Sequence, residues 1–254
     1  MVGVLSVQRL PRCHRPLKLA CSRKPGRACA LQAAEKPLAM EVGPDSPGPD
    51  RIERSGRMPL IQQPGKGGTM AADIEKKLRA AEKQYFKLRE KMAAWRRQLP
   101  AEPVQDHAFT GTSGRKVKLS QLFGKHDHLI LVHHMGPQCP YCTLWADGYS
   151  GQTYFIEKKA AFVVAAPKPV RVLAKAAKER GWKFKLVSDE GGEFAKRMGF
   201  WSAPGDSWDG PLPGVSVLAR KGRKIERVSR DFFGPGDPYC PAFHFFDLLP
   251  ADKA

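Results

Sequence analysis

Leu129-Ile130-Leu131-Val132-His133-His134-Met135-Gly136-Pro137-Gln138-Cys139-Pro140-Tyr141-Cys142 decides how the rest of the chain is read. Four consecutive apolar residues read as a strand buried on both faces. Two cysteines three apart follow within ten residues, and the chain from Cys142 onward can form a helix. A CxxC held between a strand and a helix suits thiol redox chemistry. The first cysteine then lies at a helix N-terminus, where unpaired backbone N–H groups and the helix dipole favour a thiolate. The second is close enough to close a small disulfide ring.

Outward from this stretch, strands and helices alternate. Phe109–Leu119 reads as a hairpin turning at Gly111-Thr112-Ser113-Gly114, and Ser120–Phe123 as one helical turn. The central strand spans about Leu129–His134. A helix follows from Cys142 to about Tyr149, with Gly148 and Gly151 near its end. Ala161–Ala165 is a second buried strand. Pro169 opens a helix over Val170–Arg180, with Leu173, Ala174 and Ala177 on one face and Gly181 as its cap. Phe184–Val187 is a third strand and Glu193–Met198 a short helix. Val215–Ala219 and Lys224–Val228 flank Arg220–Arg223 as a hairpin, and Phe243–Leu249 is a terminal helix or extended segment. This order predicts an α/β domain over 103–254, with a central mixed sheet covered by helices on both faces.

Before that domain, Ala71–Gln98 has apolar residues at Ile74, Leu78, Ala81, Tyr85, Leu88, Met92 and Trp95. Steps of four and three alternate, which is a heptad stripe on a long amphipathic helix ended by Pro100. The stripe is expected to pack on the parent domain or against a second copy, as a homodimer. Residues 1–69 show no period and are rich in Arg, Pro and Gly, a composition that cannot bury enough apolar area to fold. They read as a disordered tail, as a segment upstream of a true start at Met58 or Met70, or as an Arg-rich transit peptide.

Composition narrows the function classes. The chain has 254 residues, 42% hydrophobic, and six cysteines. Three of these (Cys13, Cys21 and Cys29) fall in the tail, so the set is too uneven for a disulfide scaffold. No apolar run reaches the length of a membrane span, and no secretory signal is evident. The net charge is +18, with 12 basic and 5 acidic residues in 1–69. No nucleic-acid motif accompanies this charge, so it reads as a solvated basic surface and no nucleic-acid or membrane partner is predicted. The expected location is cytoplasmic.

The ordered blocks of the chain resemble a thioredoxin-like, uncharacterised family known by a domain-of-unknown-function label. It is related to the alkyl hydroperoxide reductase/thiol-specific antioxidant group. The blocks are Trp95-Arg96-Arg97-Gln98-Leu99-Pro100, Val132–Pro137, Cys139–Cys142 with Trp145-Ala146-Asp147-Gly148, and Arg180-Gly181-Trp182. Pro213–Val217 and Phe246-Asp247-Leu248-Leu249-Pro250 complete them. The resemblance covers about residues 71–250 and implies a thioredoxin-like fold with a peroxiredoxin-like N-terminal hairpin.

If the site is redox-active, Cys139 is the attacking thiolate and Cys142 the resolving thiol, acting on a protein or small-molecule disulfide without a cofactor. His133 and His134 precede the loop and alternate across the strand, so only one can approach the thiols. There an imidazolium would stabilise a thiolate; the competing reading is a hydrogen-bonded packing residue. Cys139, Cys142 and one histidine, with the other histidine or Cys240, would also suit zinc, but no metal ligand is assigned. Trp145 is expected to pack over the motif, and Asp147 to relay protons to Cys142 or to act as an ordinary solvated or capping residue. Cys240 reads as a distant resolving thiol or a lone cysteine.

Two departures from the related families stand out. Gly136 occupies the position, three before the cysteine, where peroxiredoxins carry a threonine. Gly214, preceded by Pro213, falls where thioredoxins carry a cis-proline. These leave three expectations: a thiol–disulfide oxidoreductase, a thiol peroxidase using Cys139, or a non-catalytic binding module.

Overall fold

The computed structural model describes residues 69–206 and 208–250. The expectations for the tail, including Cys13, Cys21 and Cys29, lie outside the described residues. In chain order the elements are α1 (Thr69–Arg96), β1 (Glu102–Val104), β2 (Ala108–Gly111), β3 (Lys116–Lys118), α2 (Leu119–Leu122), β4 (His128–His133) and α3 (Pro140–Ile156). They continue with β5 (Ala161–Ala166), α4 (Val170–Arg180), β6 (Lys185–Ser188), α5 (Glu193–Arg197), β7 (Gly214–Lys221), β8 (Lys224–Phe232) and α6 (Pro241–Phe246). One sheet carries all the strands in the order β1-β8-β7-β4-β5-β6-β2-β3.

The strand before the cysteines is central. β4 pairs parallel to β5, with Leu131 opposite Val163, and antiparallel to β7, with Leu131 opposite Ser216. Its unbroken apolar run follows from burial on both faces. Leu129 and Leu131 enter a core with Phe109, Phe123, Phe194 and Phe200. Val132 and Ile130 enter the opposite core with Trp145, Phe162 and Leu173. β5 is buried at every position and divides in the same way. α3, α4 and α6 cover the second core, and α2 and α5 the first. Three parallel strands β6-β5-β4, continued by the antiparallel β7-β8 hairpin and a last helix, make this a thioredoxin-like α/β fold. The hairpin β2–β3 extends the far edge, Thr110 lying opposite Ser188 of β6.

Three details differ from expectation. α3 runs on to Ile156, through Gly148 and Gly151, because Tyr149 and Thr153 bury on its inner face. β1 adds an edge strand whose Pro103 sits opposite Glu226, an edge position where a missing N–H is tolerated. The apolar stripe of α1 does not pack on the parent domain. From Ile74 to Trp95 its large residues are 39–58% exposed, and the helix is fastened at its last turn, where Arg96 pairs with Asp231. Among the described residues no helix is long and apolar enough to cross a membrane.

Candidate active site

α3 begins at the motif. Cys139 is its N-cap in extended conformation, and Pro140 takes the first helical position, where a proline's missing N–H costs nothing. The Cys139 sulfur accepts the Cys142 backbone N–H at 3.2 Å. The Thr143 hydroxyl donates to the carbonyls of Cys139, at 3.0 Å, and Pro137, at 3.3 Å. The two thiols therefore sit in unlike surroundings. Cys139 is half-buried, whereas Cys142 is buried among Trp145, Tyr149 and Phe162. Burial first, and the neighbouring Cys139 sulfur second, push the Cys142 thiol well above the usual thiol range.

The histidines divide between the two faces. His133 turns away from the cysteines: its Nε2 lies 2.9 Å from the Ser216 hydroxyl and its ring stacks on Phe200 at 3.9 Å. His134 lies on the cysteine side, edge-on to Trp182 at 5.8 Å. Its Nδ1 accepts the Gly136 N–H at 2.9 Å, which leaves the ring proton on Nε2. Burial lowers the His133 pKa to about 3 and the His134 pKa to about 4. Both rings are neutral near pH 7, so neither supplies a positive charge to a thiolate.

The remaining expected residues lie around the motif as follows. Trp145 is buried against Phe233 and Phe243, in the same core as Cys142. Asp147 is paired at the helix surface. It accepts two hydrogen bonds from Arg180 and one, at 2.8 Å, from the Trp182 indole N–H. Arg180 holds its carboxyl below the usual range. This joins Trp145–Gly148 to Arg180–Trp182, two blocks whose connection the linear sequence did not reveal. Gly214 lies opposite His133 in the β4–β7 register, and a Cβ there would strike the Phe200 ring and the Asp231 carbonyl. Cys240 is buried in the same core as Cys142, at the N-cap of α6. Cys139, Cys142 and Cys240 are all free thiols. Among the described residues no group of three or more His, Cys, Asp or Glu is placed to hold a metal ion. The supporting role of Thr143 was missed, since a threonine after a CxxC gives no signal of its own.

The family model described as "Bacterial protein of unknown function (DUF899)" matches residues 71–253. The chain belongs to this family. Among curated proteins nothing matches the DUF899 chain significantly. Solved structures similar to it include the peroxidoxin BcpB from Mycobacterium tuberculosis, at 20% identity and a TM-score of 0.44, covering 59% of this chain and 97% of that one. Another is a cysteine-to-serine mutant of PrxQ from Xylella fastidiosa, at 14% identity and a TM-score of 0.46, covering 58% of this chain and 94% of that one. A peroxiredoxin Q mutant from Xanthomonas campestris shows 14% identity and a TM-score of 0.45, with 56% and 90% covered.

Proposed function

We propose that this DUF899 protein is a thiol–disulfide oxidoreductase in which Cys139 attacks and Cys142 resolves. The observation that carries this reading is the contrast between the two thiols. The reachable one caps a 17-residue helix and receives a backbone N–H, and its neighbour is buried and held protonated.

In the first step the Cys139 thiolate attacks one sulfur of a substrate disulfide. A mixed disulfide forms on Cys139 and the other substrate sulfur leaves as a thiolate. Cys142 then loses its proton to the departing thiolate and attacks the Cys139 sulfur. The Cys139–Cys142 disulfide forms and the second substrate thiolate leaves. The substrate gains two electrons and the protein loses two. A thiol reductant reverses the exchange and restores the dithiol, and no cofactor takes part. The substrate is a protein or small-molecule disulfide, the reductant is a thiol, and the setting is cytoplasmic.

The peroxidase alternative is disfavoured by Gly136. Its φ is +119° and an added Cβ would meet the Gln138 side chain and Lys168 Cε, the latter at 2.7 Å. The chain carries no threonine hydroxyl at that place, and a β-branched residue would be strained at this φ.

The test is trapping. Reduced full-length protein treated with glutathione disulfide is expected to close one disulfide, between Cys139 and Cys142, by peptide mapping. Cys142→Ser is expected to accumulate a glutathione adduct on Cys139, and Cys139→Ser to form neither product. If Cys142→Ser stays unmodified, or if the wild type pairs other cysteines, the assignment fails.

A further inference from the structure

α1 leaves six large apolar residues in solvent at heptad spacing: Ile74, Leu78, Tyr85, Leu88, Met92 and Trp95. A solvated helix face does not require such a stripe. Leu78, Tyr85 and Met92 occupy one core position of the repeat, and Ile74, Ala81, Leu88 and Trp95 the other. The residues just after this second set are Glu75, Glu82, Arg89 and Arg96. They are acidic in the first half of the helix and basic in the second. Residues just before the first set are Lys77, Gln84 and Lys91.

Such a pattern selects both a partner and a direction. We infer that α1 pairs with α1 of a second copy of this chain as an antiparallel two-helix coil, centred between Phe86 and Lys87. Reversing the helix about that point sets Leu78 against the partner's Trp95, Ala81 against the partner's Met92 and Tyr85 against the partner's Leu88. Large residues meet smaller ones in each layer, which fills the seam evenly.

On one flank Glu82 meets the partner's Arg89 and Glu75 meets the partner's Arg96, each pair occurring twice by two-fold symmetry. The other flank sets Gln84 beside the partner's Lys91, with no like charges. A parallel pair is worse, because it brings Lys77 to the partner's Glu82 but also Lys91 to the partner's Arg96. Among the described residues of one chain Glu75 pairs with Arg79, at 3.5 Å on the open surface, a pair too weak to compete. Arg96 keeps its bond to Asp231, so the Glu82–Arg89 pair is the more selective one. This inference is independent of the redox reading.

Sedimentation equilibrium of the full-length protein tests it. A dimer is expected, with circular dichroism showing the helix intact in every variant. Glu82→Arg and Arg89→Glu each create like-charge contacts and are expected to weaken the dimer by about tenfold. The double variant restores the antiparallel pairs and is expected to regain wild-type affinity. In a parallel dimer the double variant stays as weak as Glu82→Arg, since Arg at 82 still faces Lys77. That result, or a purified chain that is monomeric at every concentration because a different partner covers the stripe, overturns the proposal.

Discussion

Single residues set the limits of this site, and two glycines show how. Gly136 lets the chain turn at positive φ beneath Lys168, and Gly214 lets Phe200 close on His133. At Gly214 an added methyl would meet the Asp231 carbonyl at 2.5 Å as well as the Phe200 ring. Backbone cannot retreat as a flexible side chain can, so Gly214→Ala is expected to cost about 2 kcal/mol or more. A lower urea midpoint at unchanged slope would register it; an unchanged midpoint would mean that β7 and β8 can separate. Both glycines were visible in the sequence as departures from known patterns. Their reasons were not, because each depends on a neighbour more than ten residues away or on a backbone angle. The placement of the cysteine pair was legible at once, since its spacing and its position between a strand and a helix are both read from the sequence. The alternation of His133 and His134 was equally legible, but their neutral state was not, because burial by Phe200 and Trp182 is a tertiary fact.

At the scale of elements, α3 carries the motif and must be held against its neighbours. Part of that hold is the Asp147 carboxylate, which receives Arg180 and Trp182 from the end of α4 and the segment after it. Asp147→Ala leaves the buried Trp182 indole N–H with no acceptor, at a cost of about 1–3 kcal/mol. Asp147→Asn retains a carbonyl oxygen for that N–H and gives up mainly the exposed Arg180 pair. It should therefore fall clearly less in a urea titration, and equal losses would locate the stabilisation in the ion pair instead. The strands of the central sheet were legible because Leu129–Val132 and Ala161–Ala165 are apolar runs of strand length. The length of α3 was not. Two glycines resemble a helix end, and only the burial of Tyr149 and Thr153 outweighs the roughly 1 kcal/mol each glycine costs a helix. β1 escaped notice because Glu102 and Pro103 are exposed and show no alternation. The stripe of α1 was read correctly as a pattern, but a pattern does not say which surface covers it.

Across the whole molecule, the sheet sends one neutral histidine into each of its two cores. His133 stands among Phe194 and Phe200, with the Arg227 charge adding to the effect of burial, and His134 stands beside Trp182. His107, against Asp189, is also lowered, mainly by burial. In the unfolded chain these side chains titrate at the ordinary value of 6.5. In the folded chain His134 stays neutral to about 4 and His133 to about 3. Between those limits the unfolded state binds more protons, so stability falls as pH drops below about 6.5. Each fully unprotonated histidine contributes a slope of about 1.4 kcal/mol per pH unit. The carboxylates held low, Asp147 and Glu193, act in the same direction, but only in the ordinary carboxylate range below this. The interval from about pH 6.5 to 5 is thus dominated by histidine. Urea midpoints across that interval, at fixed protein concentration, are expected to fall steadily with acidification. Replacing His134 with Gln should flatten the slope by one proton even if it lowers the midpoint throughout. A midpoint independent of pH over this interval would mean that the histidines are solvated in the native protein, and that the two cores are not closed around β4.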